Sequence, residues 1–366
     1  MGITVVGLAA LAILRELRGT DRIPLVERTC ACAPHAPGRR RWNRAAVERY
    51  ITKAVGRDVC SHLPVIEVAT TDRDSRLRCR GVTSHLATGE QNDWGFVDVG
   101  EGLRVASPEL VYIQMTEHMP LPVQLMLGSE LSGCYSRDAV SPREGDVSFG
   151  LEPITCKEMV LALLRRRGRL PHRDKVGQAV DHMVEYAWSP MESVLATMLE
   201  LPRELGGYGM GPLRLNRELE MYELGDHETR IPDILFGFTG VGINYEGEPH
   251  MPTGELLSAA EKAAANPSPR AMRELEDQAR RMRAKIVDDK RRDRELMEYG
   301  MKVITMTKDD LNNITRLDRE IYELHRLVCR SARKPPLSRD EFLGDASRTR
   351  LRTSVLGMIM ARRNVH

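Results

Sequence analysis

Two short apolar runs, Ile231 to Phe236 and Val241 to Tyr245, are separated only by Gly237-Phe238-Thr239-Gly240. A glycine-bounded turn of that length joins neighbouring antiparallel strands, so the two runs predict a hairpin. Arg270 to Tyr299 predicts one long, charged helix, closed by Gly300 as a C-terminal cap. Met301 to Met306 predicts another strand after it. A hairpin, then a helix, then a strand returns the chain to the sheet through a crossover. The expected architecture of this half is therefore a mixed sheet flanked by helices.

The chain has 366 residues, enough for about two to three domains. Lys and Arg number 54 against 52 Asp and Glu, so the net charge is +2. That balance excludes a uniformly basic, histone-like binder, while leaving room for a local basic face. A hydrophobic content of 42% with 29% charged residues fits a globular chain and argues against wholesale disorder. Aromatics are only 5%, and the 18 methionines can fill core space in their place. The seven cysteines are scattered and odd in number, with no C-x-x-C pair, so reduced thiols are expected rather than a disulfide framework. A redox or metal role for Cys30 and Cys32 with His35 is the alternative.

Met1 to Leu14 is apolar but too short to span a bilayer, and it lacks a basic leader and a clear cleavage site. It reads as a buried helix continuing through Arg18. No other stretch approaches spanning length, so no membrane partner is expected and the default location is cytoplasmic. Residues 24–42, rich in proline and carrying Arg39-Arg40-Arg41, read as a loop with a basic cluster. Strands are expected at Val65 to Val68, Arg76 to Val82, Trp94 to Val99 and Leu103 to Ala106. Ser107-Pro108-Glu109 then opens a helix with a capping hydroxyl, a first-turn proline and a first-turn acid. Ser189-Pro190-Met191-Glu192 repeats that device. The boundaries read as an α+β domain over 1–150, a helical connector over 151–188, a mixed-sheet domain over 189–330 and a charged tail over 331–366.

The hairpin brings Asp233 and Glu246 to neighbouring strands. Two carboxylates there can share a divalent cation, and Mg²⁺ or Mn²⁺ takes oxygen ligands while keeping waters. Such an ion activates water and stabilises charge developing on a phosphodiester. Glu192, at a helix start, is a candidate third carboxylate, and His250 a candidate for proton transfer.

These blocks occur in a telling order. A helix Glu192 is followed by Pro232-Asp233, then Tyr245-Glu246-Gly247-Glu248-Pro249-His250, then Asp289, Arg292, Leu296, Gly300 and Val303 at fixed spacing. The order resembles the very-short-patch-repair (Vsr-like) endonuclease family of the wider PD-(D/E)xK restriction-endonuclease-like fold, over about residues 185–310. The resemblance implies a metal-binding Asp233, a catalytic His250, a role for Glu192, and a supporting pair Asp289 and Arg292. Glu246 stands where the broader branch has Asp before Gly. Asn244 stands where that branch has Glu, and no Lys closes the pattern. Leu103 to Leu110 and Gly128 to Tyr135 give the first half a weaker resemblance to AbiEi-like antitoxins and regulators of abortive-infection systems.

Two functions follow from these resemblances. One is a Mg²⁺- or Mn²⁺-dependent DNA endonuclease, weakened by Asn244, acting on double-stranded DNA in phage or mobile-element defence. Arg165 to Arg167 and Arg280 to Lys290 would hold phosphates. The other is a non-catalytic, antitoxin-like DNA-binding regulator that keeps the nuclease fold as a platform and works with a toxin or defence-system partner.

Overall fold

The computed structural model describes residues 2–23, 42–87, 95–166, 172–216, 232–246 and 253–360. It is a mixed α/β protein in two compact units, Met1–Thr197 with Val355–His366, and Met198–Ser354. Among the described residues no helix is long and apolar enough to cross a membrane.

In the first unit, β1 (Ile3–Val6) runs directly into α1 (Gly7–Leu17), followed by α2 (Arg44–Val55). Then come β2 (Ile66–Thr70), β3 (Val82–Leu86), β4 (Phe96–Gly100) and β5 (Leu103–Ala106). The five strands form one sheet in the order β3-β2-β1-β5-β4. The expected helix from Met1 is thus half strand. Ile3, Thr4, Val5 and Val6 are all buried, and a short apolar run that is buried on both faces has no period to tell strand from helix. Gly7 makes the break, with φ +64°, and any Cβ there would collide with the Glu67 carboxylate. Arg76 to Val82 does not form the expected strand either. Only a Cys79–Val82 bridge leads into β3.

Ser107 caps α3 (Pro108–Met115) as its sequence requires, accepting from the Leu110 amide. Next come α4 (Leu121–Leu131), the hairpin β6 (Tyr135–Arg137) and β7 (Val147–Phe149), α5 (Lys157–Arg166), α6 (Arg173–Asp181) and α7 (Pro190–Glu200). Glu130, inside the Gly128 to Tyr135 segment, is buried at 1% exposure. Arg15 grips it with two hydrogen bonds of 2.8 Å, and the Arg137 amide adds a third at 3.1 Å. Burial pushes this carboxyl up, but the charge and hydrogen bonds of Arg15 and then Arg137 outweigh it and hold the group at about 2. Because the folded value is depressed, its contribution to stability is complete above the ordinary 4.5 and drains away as pH falls toward about 2. The melting temperature should fall across that interval. Glu130→Gln should be less stable at neutral pH and show a flatter acid limb. An unchanged acid limb in the variant would assign the acid loss to other groups.

The second unit carries β8 (Leu213–Leu215), β9 (Ile234–Phe236), β10 (Val241–Glu246), α8 (Thr253–Ala265), α9 (Pro269–Glu298) and β11 (Lys302–Thr307). After them come α10 (Lys308–Leu311), α11 (Ile314–Ser331), α12 (Arg339–Leu343) and α13 (Ala346–Met360), whose residues from Val355 on belong to the first unit. The sheet order is β11-β10-β9-β8, antiparallel from β8 to β10, with β10 and β11 parallel. The expected single helix over Asp309 to Arg330 is two helices. Asn313 caps the second, accepting from the Thr315 and Arg316 amides. Residues 331–366 contribute two helices, α12 and α13, and the fully buried Arg352.

Candidate metal centre

Strand alternation places Gly242, Asn244 and Glu246 on one face of β10, and Ile243 and Tyr245 on the other. Register pairs Gly242 with Leu235 and Ile243 with Ile234, so Asn244 comes opposite Asp233. Glu246 lies two residues further along the same face. The hairpin does join the two strands, but the direct neighbour of Asp233 is the amide rather than Glu246.

Gly242 is needed locally. A Cβ there would come within 2.8 Å of Pro232, which lies across it and brings Asp233 to the edge of the ladder. The Asp233 carboxylate accepts from the Tyr245 amide at 2.6 Å, so the side chain is fixed by backbone. Its other oxygen faces Arg292 of α9 at 3.3 Å. The end of α9 is anchored on this face by Leu296, which packs with Leu235, Met301 and Val303. Arg292, one turn before Leu296, therefore projects over Asp233. Asp289, a further turn back, lies 3.9 Å from Lys285.

Asn244 is 6% exposed, and its Oδ1 has no hydrogen-bond partner among the described residues. A buried amide oxygen without a donor is costly, and a hard cation is one group that would satisfy it. Asp233, Asn244 and Glu246 offer two carboxylates and a carbonyl in one row, an all-oxygen donor set suited to Mg²⁺ or Mn²⁺. Thr305, paired with Asn244 on β11, is exposed, so the row is open to solvent along that edge.

Glu192 lies in the first unit, and its carboxylate is already engaged. It accepts from the Ser189 hydroxyl at 3.0 Å and the Trp188 amide at 2.9 Å, closing the start of α7. That is a helix-capping role. His250, Arg39 to Arg41, Arg167, Cys30, Cys32 and His35 lie outside the described residues. Cys60, Cys79, Cys134, Cys156 and Cys329 carry free thiols.

Two clusters have no counterpart in the sequence motifs. Cys156, Glu158 and Glu185 bring one donor atom each within 4.8 Å of one another. They form the one such group of three His, Cys, Asp or Glu side chains among the described residues. Glu67 and His85 pair at 2.9 Å beside a cavity of about 230 Å³ also lined by Gln114, His118 and His172. The hydrogen bond between them holds Glu67 below its usual range and raises His85. Glu67 and His85 meet through the β2–β3 pairing, and Glu185 joins the neighbouring Cys156 and Glu158 from a distant part of the chain, so neither cluster is complete as a local motif.

No family model, curated protein or solved structure matches the chain.

Proposed function

We propose that the second unit is a metal-dependent DNA endonuclease-like module centred on Asp233, Asn244 and Glu246. The observation that carries this reading is the row itself. A backbone-locked carboxylate stands opposite a buried amide oxygen that lacks a donor among the described residues, with a second carboxylate two residues on. Asp233 and Glu246 would hold the cation, with Asn244 Oδ1 as the neutral ligand between them. A bound Mg²⁺ or Mn²⁺ supplies an activated water and charge stabilisation at a phosphodiester. Arg292 orients Asp233 and places a fixed positive charge beside it, where a phosphate oxygen would be stabilised. The order of Pro232-Asp233, the β10 segment and the Asp289 to Val303 block adds the Vsr-like resemblance as support.

A second reading, a DNA-binding regulator without catalysis, is favoured by one observation. Arg292 already neutralises Asp233, and Asn244 supplies no charge to compete for a cation. The deciding experiment is nicking of supercoiled plasmid in Mg²⁺ or Mn²⁺. Metal-dependent conversion to open circles supports the endonuclease, and metal-independent binding with intact plasmid supports the regulator.

A further inference from the structure

The long helix α9 is two-sided. Its inner seam includes Leu275, Met282, Asp289, Arg292 and Leu296, all buried or half-buried. On the opposite side, spacing of three and four residues generates one continuous stripe. It runs Arg273, Glu276, Arg280, Arg283, Val287, Lys290 and Arg294, and every one of these positions is exposed. Five of the seven are cations and one is an acid. The acids Glu274, Asp277, Asp288 and Asp293 fall off the stripe, although Asp277 reaches across to Arg280 at 3.0 Å, and Glu298 closes the stripe at the helix end. The helix is thus nearly balanced by composition but sorted by face.

We infer that this outer stripe of α9 is a track for the phosphate backbone of duplex DNA, separate from the Asp233 row. From Arg273 to Arg294 the helix rises ~32 Å, at 1.5 Å per residue. That is close to one turn of duplex, about 34–36 Å. A rigid row of cations along that length matches a regular polyanion, and each contact releases counterions. Arginine dominates the stripe, and its planar fork suits phosphate oxygens. The stripe points away from Arg292, so the DNA it holds is not the strand facing Asp233. Its role is sequence-independent anchoring. The identity of the partner rests on the endonuclease reading, while the binding itself needs no metal and no cleavage.

The test is fluorescence anisotropy of the full chain with a short labelled duplex of arbitrary sequence, without divalent metal, across a salt series. Replacing Arg273, Arg283 and Lys290 together by Gln breaks no ion pair among the described residues and keeps good helix formers. The slope of log affinity against log salt should become shallower by about 3, roughly one per phosphate contact. Glu276→Lys should steepen it by about 1 and tighten binding. Arg281→Gln, an exposed charge loss off the stripe, should leave the slope unchanged. Failure of the Asp233 chemistry with this pattern intact would leave the track standing. The track is overturned if wild type does not bind duplex, if Arg281→Gln matches the per-residue loss of the triple variant, or if anionic vesicles or RNA bind in preference to duplex.

Discussion

Arg352→Ala is expected to lower the unfolding free energy by about 3–5 kcal/mol, the usual loss when one partner of a buried ion pair is removed. Arg352 is 1% exposed. Its guanidinium meets Asp318 of α11 in a fork, at 2.8 and 3.0 Å, and donates to the Leu343 carbonyl at 2.7 Å. Tyr208 donates to the same Asp318 at 2.8 Å. Alanine would leave Asp318 charged, buried and held by one phenol. Burial and the neighbouring Asp318 charge already push the Tyr208 hydroxyl well above its ordinary range, so that phenol remains a donor at any working pH. Asp318→Ala with Arg352→Ala should cost less than the two losses added, since the pair is removed together. The denaturant midpoint reads both. A loss below about 1 kcal/mol in the single variant would mean the pair is hydrated and behaves as a surface bridge.

Asp233→Asn is expected to reduce metal-dependent nicking to background. The substitution is close to isosteric. The amide oxygen can still accept from Tyr245, so the β9–β10 edge should hold. What is lost is the charge that would bind the cation. Arg292 and Asp233 are 28% and 16% exposed at their side chains, a half-buried pair, so losing the charge should cost on the order of 1 kcal/mol of stability. The variant should therefore stay folded, melting only slightly below wild type, while failing to convert supercoiled plasmid. Equal nicking by both proteins would place the activity elsewhere or in a contaminant.

Much of the second unit was legible because its signals are local. The glycine turn between two apolar runs became β9 and β10, and Gly300 closed the helix before β11. What was hidden depends on partners distant in sequence. β1 resembled a helix because burial on both faces erases the strand period. Asn244, rather than Glu246, faces Asp233 because register is set by where the turn closes. Glu192 looked catalytic by position, yet its carboxylate serves its own helix start. Arg352 stood in a charged segment, and only tertiary packing against Asp318 buries it.

Thermal melting with and without millimolar Mn²⁺ tests most directly whether Asp233, Asn244 and Glu246 form a cation site. A ligand that binds only the folded chain raises its melting temperature by mass action. Wild type should shift upward. Asn244→Glu should shift further, because a third anion strengthens attraction in a partly dehydrated site. The metal-free form of that variant should melt lower than wild type, since the introduced carboxylate would then repel Asp233 and Glu246. If neither protein shifts with Mn²⁺, the row holds no metal, and DNA binding without catalysis becomes the reading of this unit.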